Sequence, residues 1–332
     1  MQDLTVVIIT KNEEHNLLKC VRSLGTLPKR IVVVDSGSTD RTCAVAKKLG
    51  CDLYFHEWQG YAAQINWAME NTGIDTEWIM RMDADEELLP KLRDELETTL
   101  SFFEKADKDR AHTDPESVNG FSLRRRIIFM GKWIRHGGVY PTYMLRVVRR
   151  GHAHCEQNIM DEHLVLTDGR AIALKNDFID KNTKTLEWWT DKHNRYSDLE
   201  LQNYLIGRSA VKKSCTCKCS CKSEPERSKG KEQDINEQGT KEQDTNVSPG
   251  LFGTQVERRR WLKNALYYNT PLFLRARLYF IYRYYIRLGF LDGPEGRIFH
   301  FLQGYWYRFL VDAKIYEHDK KGRSNIDRSA QV

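Results

Sequence analysis

The chain has 332 residues, 40% of them hydrophobic and 30% charged, with 52 basic against 46 acidic side chains and a net charge of +6. That is enough apolar material for a real core and enough length for one large domain with an appendage, or for two domains. It excludes a chain too polar to fold, and the small basic excess does not argue for a nucleic-acid partner. No apolar run approaches the roughly 20 residues that span a bilayer. The N-terminus goes straight into a strand pattern with no signal-peptide region before it, so the eight cysteines are expected to be reduced, in the cytosol.

The first hundred residues alternate two periodicities. Residues 4–9, LTVVII, form a continuous β-branched run, as a strand buried on both faces requires. KNEEHNLLKCVRSL follows, with Leu17, Leu18, Val21 and Leu24 at helical spacing and Asn12 as the expected N-cap. RIVVV (30–34) reads as a second strand ending in Asp35, STDRTCAVAKKLG as a helix closed by Gly50, and DLYFH as a third strand. YAAQINWAMEN reads as a helix and EWIMRM as a fourth strand ending in Asp83. Such alternation predicts an α/β fold, a mostly parallel sheet with helices on both faces, whose ligands bind outside the carboxyl ends of the strands. Three polar clusters fall there: Thr10 to Glu14, Asp35 to Asp40, and Asp83 to Glu86.

The last of these, within WIMRMDADEEL, puts four acids into five residues where a buried strand reaches the surface. Carboxylates that close repel unless water or a cation compensates. If the chain stays extended, Asp83 and Asp85 point to one side and share a hard divalent cation, Mg or Mn, with substrate phosphates completing its shell. There is no GxGxxG after the first strand and no GxxxxGK[ST], which argues against dinucleotide-binding dehydrogenases and P-loop enzymes.

VVIITKNEEHNLLKCVRSL, IVVVDSGSTDRT and WIMRMDADE in this order resemble the family 2 glycosyltransferases of the GT-A fold. The resemblance implies an inverting, metal-dependent transferase that uses a nucleotide-diphosphate sugar. By position, Thr10, Asn12 and Glu14 would line the ribose side and Asp35 would accept from the nucleobase. Asp83 would touch sugar or ribose, and Asp85 would ligate the metal on the diphosphate.

FSLRRRIIFMGKWIRHGGVYPTYMLRVVRRG reads as strands around a loop at 136–141. MDEHLVLTDG and TDKHNRY resemble the members that build lipopolysaccharide core or exopolysaccharide. An inverting transferase needs a carboxylate to take the acceptor proton. Asp161 and Glu162 occupy the matching place, with Glu162 preferred. Lys192, His193 and Arg195 sit on an expected helix, where they either meet the leaving diphosphate or are solvated surface. Trp188 and Trp189 are expected to be core rather than a sugar platform.

From residue 212 the composition turns polar, with KEQD repeated, and a disordered insertion over 212–252 is expected. Cys215, Cys217, Cys219 and Cys221 open it at CxCxCxC spacing, unlike the CxxC pairs of zinc sites. The division is thus a GT-A domain over 1–205, the insertion, and a helical region over 253–332. That last region is dense in aromatics interrupted by Arg275, Arg277, Arg283, Arg287 and Arg308, with Arg258, Arg259 and Arg260 upstream. Arginines so placed forbid a spanning helix but suit one lying on anionic lipid. The expectation is a cytoplasmic protein peripheral to the inner face of the membrane, acting on a glycolipid or polysaccharide acceptor. The alternatives are a nucleotidyltransferase on a similar sheet, and a non-catalytic, membrane-docked scaffold that binds sugar nucleotide.

Overall fold

Four apolar runs form the parallel part of one sheet: β1 (Gln2–Thr10), β2 (Pro28–Asp35), β3 (Asp52–Phe55) and β4 (Trp78–Asp83). They are ordered β3-β2-β1-β4. The helices between them are α1 (Leu17–Leu24), α2 (Thr42–Lys48) and α3 (Tyr61–Asn71). This is a computed structural model; it describes residues 1–106, 116–157, 162–181, 183–219 and 250–329, of which 106, 209–219 and 322–329 are described by backbone alone. Asp161, Cys221 and most of the 212–252 segment lie outside the described residues.

The continuous apolar character of β1 has the expected cause. Leu4, Val6 and Ile8 pack with α1 and with α4 (Pro90–Ala106) on one face, while Val7 and Ile9 pack with Ala62, Ile65 and Ala68 of α3 on the other. Strand side chains alternate, so a strand between two helical layers must be apolar at every position. One boundary differs from expectation. Asn12 does not cap α1, which begins at Leu17 after Asn16. Asn12 instead takes a left-handed φ of 57° and turns its side chain towards the loop after β2.

The second half of the sheet is mixed. It adds β5 (Glu86–Leu88), β6 (Val118–Phe129), β7 (Lys132–Ile134), β8 (Thr142–Arg149) and β11 (Arg170–Lys181). β8 lies antiparallel to β4, and the order runs on as β8-β6-β11-β5. β9 (Ala153–Cys155) and β10 (Leu164–Leu166) form a separate hairpin. The fold class is therefore the expected α/β, with helices on both faces.

α5 (Leu186–Cys219) runs on into the segment expected to be disordered. After residue 250 come α6 (Gln255–Leu262), α7 (Leu274–Ile281), α8 (Gly293–Phe299) and α9 (Tyr307–Ser329), with π-helical turns at Lys263–Tyr267, Tyr282–Ile286 and His300–Trp306. This region packs on the sheet half. Tyr307, Val311 and Ile315 meet Tyr196, Leu201 and Tyr204 of α5. Phe299 meets Phe129, Ile134, Val139 and Trp189. The Asp292 carboxylate accepts from the backbone N–H of Arg135 and His136. Gly137, at φ 70°, lies so close to His300 that a Cβ there would stand 2.1 Å from the imidazole.

The packing revises the expected use of the arginines. Arg275 is buried against Asp312, and its Nε donates to Oδ1 at 2.7 Å. Buried Arg283 donates to the Gly137 carbonyl at 3.0 Å. Arg308 lies among the rings of Tyr267, Tyr279 and Tyr307. Arg259 and Arg260 turn inward to Thr142 and Glu156. A guanidinium with an internal partner is not free for lipid: of the arginines named at the sequence level Arg258, Arg259, Arg277 and Arg287 are exposed, and Arg259 among them is engaged by Thr142.

Candidate active site

The carboxyl ends of β1, β2 and β4 bring the three polar clusters together as expected, but several side chains are committed to the loops themselves. Asp35 is buried; its carboxylate accepts from Gly37 N–H at 2.9 Å, Ser38 N–H at 2.8 Å, the Ser38 hydroxyl, and buried Thr10 Oγ1 at 3.3 Å. Gly37 sits at φ 84°, a conformation that favours glycine, which lets the chain fold back over that carboxylate. Asn12 Oδ1 accepts from Thr39 N–H at 2.8 Å, and Asn12 N–H donates to Ser38 Oγ at 2.9 Å. Glu14 accepts from the Arg41 N–H at 2.9 Å, and Asp40 accepts from the backbone of Thr42 and Glu14. Thr10, Asn12, Glu14 and Asp35 thus tie the first two loops into one unit.

At the end of β4 the chain does not stay extended. It turns at Ala84–Asp85 and re-forms as β5, which pairs with β11 and not with a β4 neighbour. The turn is held by Glu86, whose Oε2 accepts from the Asp83 N–H at 3.0 Å and whose other oxygen pairs with Arg146. Asp83 is embraced on three sides: Tyr61 donates to Oδ1, Arg81 Nε lies 3.9 Å away, and Arg146 Nη2 lies 3.6 Å from Oδ2. Burial favours the neutral acid, but Arg146, Arg81 and the Tyr61 hydroxyl outweigh it and hold the Asp83 carboxyl below the usual range.

Asp85 has the opposite environment. Burial, then the carboxylates of Asp180 and Asp83, push its pKa up to about 7, with Lys192 the cation that opposes them. Lys192, on α5, comes down over Trp188 and Tyr196; burial would lower its pKa, but Tyr196 and Asp85 prevail and raise it. Beside it Lys184 pairs with Glu13.

Burial pushes the Cys155 thiol up to about 11, and that thiol senses the charges of Arg81, Glu162, Glu156 and Arg146. Glu162 and the two arginines that flank Asp83 are thus all within electrostatic reach of Cys155. Arg195 is exposed on α5, and no described site carboxylate pairs with it. His193 is stacked on Trp189 with ring centroids 3.5 Å apart, and burial lowers its pKa to about 4, so it is neutral near pH 7 and serves packing. Trp189 is core, as expected, while Trp188 is half-buried under Lys184 and Lys192.

Four residues escaped the sequence reading: Tyr61, Arg81, Arg146 and Asp180. Arg81 and Arg146 left a signal, since each is a charge inside an apolar strand run (WIMRMD, MLRVV) and buried arginine needs a partner. Asp180 left none; only the pairing of β11 with β5 and β6 brings it to Asp85.

Among the described residues no group of three or more His, Cys, Asp or Glu side chains is arranged to hold a metal alone. The donor set still fits a hard cation that takes most of its shell from substrate phosphate and water. The negative charge crowded around Asp85 is what such an ion relieves. Asp83, already shared by two arginines and a tyrosine, fits as a ligand less well than Asp85.

Residues 5–152 match the family profile described as Glycosyl transferase family 2. An uncharacterised glycosyltransferase of Rickettsia conorii is 38% identical over 96 residues, 29% of this chain and 33% of that protein. The lipopolysaccharide core biosynthesis glycosyltransferase LpsC of Rhizobium meliloti is 33% identical over 153 residues, 45% of this chain and 51% of that protein. The chain therefore spans about a third of the length of the rickettsial relatives and half of LpsC. Among solved structures, Staphylococcus aureus TarS 1–349 overlaps 62% of this chain and 65% of that one, at 12% identity and a TM-score of 0.37, too distant to add to the description of the fold. The matched segment covers β1 to β8 and with them the Asp35 loop, the Asp83–Glu86 turn and Arg146: residues 5–152 are a family 2 glycosyltransferase domain.

Proposed function

We propose that the protein transfers a sugar, with inversion, from a nucleoside diphosphate donor to a hydroxyl of a lipid-linked or lipopolysaccharide-type acceptor. The observation that carries this reading is the contrast at the end of β4. Asp83 is charge-compensated by Arg81 and Arg146, while Asp85 is crowded by carboxylates in a site of a matched glycosyltransferase segment. The similarity to LpsC favours the acceptor class.

In this reading the loop unit of Thr10, Asn12, Glu14 and Asp35 shapes the nucleoside side, with Asn12 and Asp35 acting through backbone geometry. Asp83, kept ionised, accepts from donor sugar hydroxyls. Asp85 holds Mg or Mn, which would supply charge neutralisation for the departing diphosphate. Lys192 stands on the same side and adds positive charge there. The acceptor oxygen attacks the anomeric carbon as the bond to the diphosphate oxygen breaks, and Glu162 takes the acceptor proton. Asp161 is the alternative base. Arg195 is assigned no role.

We further assign the enzyme to a membrane surface. Among the described residues no helix is long and apolar enough to cross a membrane. The α7–α8 region instead exposes Leu278, Ile281, Tyr285, Ile286, Phe290 and Leu291, with Arg277, Arg287 and Arg297 exposed among them. Of the acids between residues 271 and 316, Asp292 and Asp312 are buried and Glu295 is half-buried. A face of apolar and cationic groups fits anionic lipid.

The test is Mn-dependent nucleoside diphosphate release from a panel of sugar nucleotides, with lipopolysaccharide as acceptor. Glu162→Gln should bind donor as wild type does and lose roughly 10²–10⁴-fold in transfer rate. Asp85→Ala should lose metal-dependent donor binding. Unchanged turnover in Asp85→Ala would falsify the metal assignment, and an altered donor affinity alone in Glu162→Gln would move the base elsewhere.

A further inference from the structure

Glu156 is a fully buried acid that the mechanism above does not use. It stands at the stem of the β9–β10 hairpin, whose loop carries Glu162. Across that stem Glu156 N–H donates to the His163 carbonyl at 2.9 Å, and His163 N–H donates to Glu156 Oε1 at 3.1 Å. The carboxylate therefore holds the backbone one residue from the proposed base.

Its charge is met from far along the chain. Arg260 of α6, 104 residues on, donates from Nη1 to Oε2 at 2.9 Å and from Nη2 to Oε1. Two parallel bonds from one guanidinium fix orientation as well as distance, which a lysine cannot do. Arg260 is itself held in place. α6 is opened by a capping box in which Thr254 accepts from Glu257 N–H. Gln255 accepts from Tyr143 N–H and donates to the Pro141 carbonyl, each at 3.0 Å. Arg259 donates to Thr142 Oγ1 at 3.0 Å. The first helix after the insertion thus grips β8 and the hairpin stem together.

We propose that Arg260 is a positioning residue for sugar transfer: through its bidentate pair with Glu156 it fixes the hairpin stem at His163 and so the adjacent Glu162, by which the C-terminal region contributes to the acceptor side of the site. This rests on Glu162 being the base. It explains why a buried acid and a basic helix meet at the hairpin stem, away from the donor loops.

The test uses the full chain as wild type, Arg260→Ala, Arg260→Lys, Glu162→Gln and the Arg260→Ala/Glu162→Gln double variant. Arg260→Ala removes the guanidinium that pairs with the buried Glu156 carboxylate. A Glu156→Gln/Arg260→Gln variant therefore carries the same test with no buried charge. The first readout is amide hydrogen exchange at 156 and 163, which needs no substrate. It should quicken about tenfold or more in Arg260→Ala, less in Arg260→Lys, and stay at wild-type rates in β1 and β4. The second is transfer from the sugar-nucleotide panel to lipopolysaccharide. Arg260→Ala should lose about tenfold or more in kcat with donor KM within about twofold, and should cost nothing further in the Glu162→Gln background. Wild-type exchange at the stem, an unchanged kcat, or full additivity with Glu162→Gln overturns the proposal. If Glu162→Gln alone leaves transfer intact, the base assignment fails instead, and exchange at 156 and 163 still decides whether Arg260 holds the stem.

Discussion

The sheet half and the C-terminal helical layer are held together by different chemistry. On the α1–α4 face of β1 the interior is aliphatic: Leu4, Val6 and Ile8 pack with Leu17, Leu24, Leu92 and Leu96, while the sheet's buried arginines are gathered at the candidate site, as Arg81 and Arg146, or paired with Glu77, as Arg149. In the C-terminal layer the interior contains arginine. Arg275 pairs with Asp312 and lies 4.8 Å from the Tyr267 ring centroid, while Arg308 lies among three tyrosines. Apolar burial is non-directional and tolerates small shifts. A desolvated ion pair is conditional on its partner, and losing one member leaves a charge with nowhere to go.

That contrast is broken most strongly at Asp312. Asp312→Ala should destabilise the protein by about 3–5 kcal/mol, because Arg275 stays buried and unpaired. Replacing both partners at once, as Arg275→Met/Asp312→Leu, should cost far less. Urea denaturation of the three proteins measures both. A double variant as unstable as Asp312→Ala would mean that the layer depends on the pair itself and not on avoiding an orphan charge.

A smaller effect, shared by both halves, is set by pH. Burial lowers His193 and His300 to about 4, from an ordinary value of 6.5. A base whose folded pKa is depressed binds its proton more readily in the unfolded chain. Its contribution is therefore whole above pH 6.5 and is lost as pH falls towards 4. Each should cost on the order of 1–3 kcal/mol over that window. Thermal melts between pH 7 and pH 4 should show a loss that His300→Gln makes shallower. Equal slopes for the variant and wild type would remove His300 from the account.

The smallest effect on stability is expected at the exposed arginines. Arg277→Ala/Arg287→Ala should stay within about 0.5 kcal/mol per site of wild type in stability. Flotation with vesicles containing phosphatidylglycerol should nevertheless weaken by about 1 kcal/mol per arginine at low salt. Neutral phosphatidylcholine vesicles should be indifferent to the change. If Asp312→Ala but not this pair altered lipid binding, the surface would act through folding alone.

How far the amino-acid order could be followed varies along the same divide. The expected helix over 61–71 matches α3 at both ends, and the strand ends at Asp35 and Asp83 lie where the apolar runs stop. Those features rest on period and on neighbours a few residues away. Asn12 misled because its left-handed turn depends on Thr39 and Ser38, in a loop that reaches it only after β1 and β2 pair. The extended path through Asp83 and Asp85 failed for a similar reason. Glu86 bends the chain only once Arg146 of β8 arrives to meet its other oxygen.

The sequence alone therefore determined the α/β alternation, the edge at which ligands gather, and the residue types at that edge. Hydrophobic periodicity and strand termini are properties of neighbouring residues, and the resemblance in three short segments was already complete within the first hundred positions. Only the tertiary structure decided which charges are free. Asp35 became a loop anchor, Asp83 a compensated carboxylate and Asp85 a crowded one, while Arg260, Arg275 and Arg283 turned inward and Arg277 and Arg287 stayed outside. The reason is physical: a charge takes its state from partners within a few ångströms and from burial, and both are set by contacts between segments up to 171 residues apart.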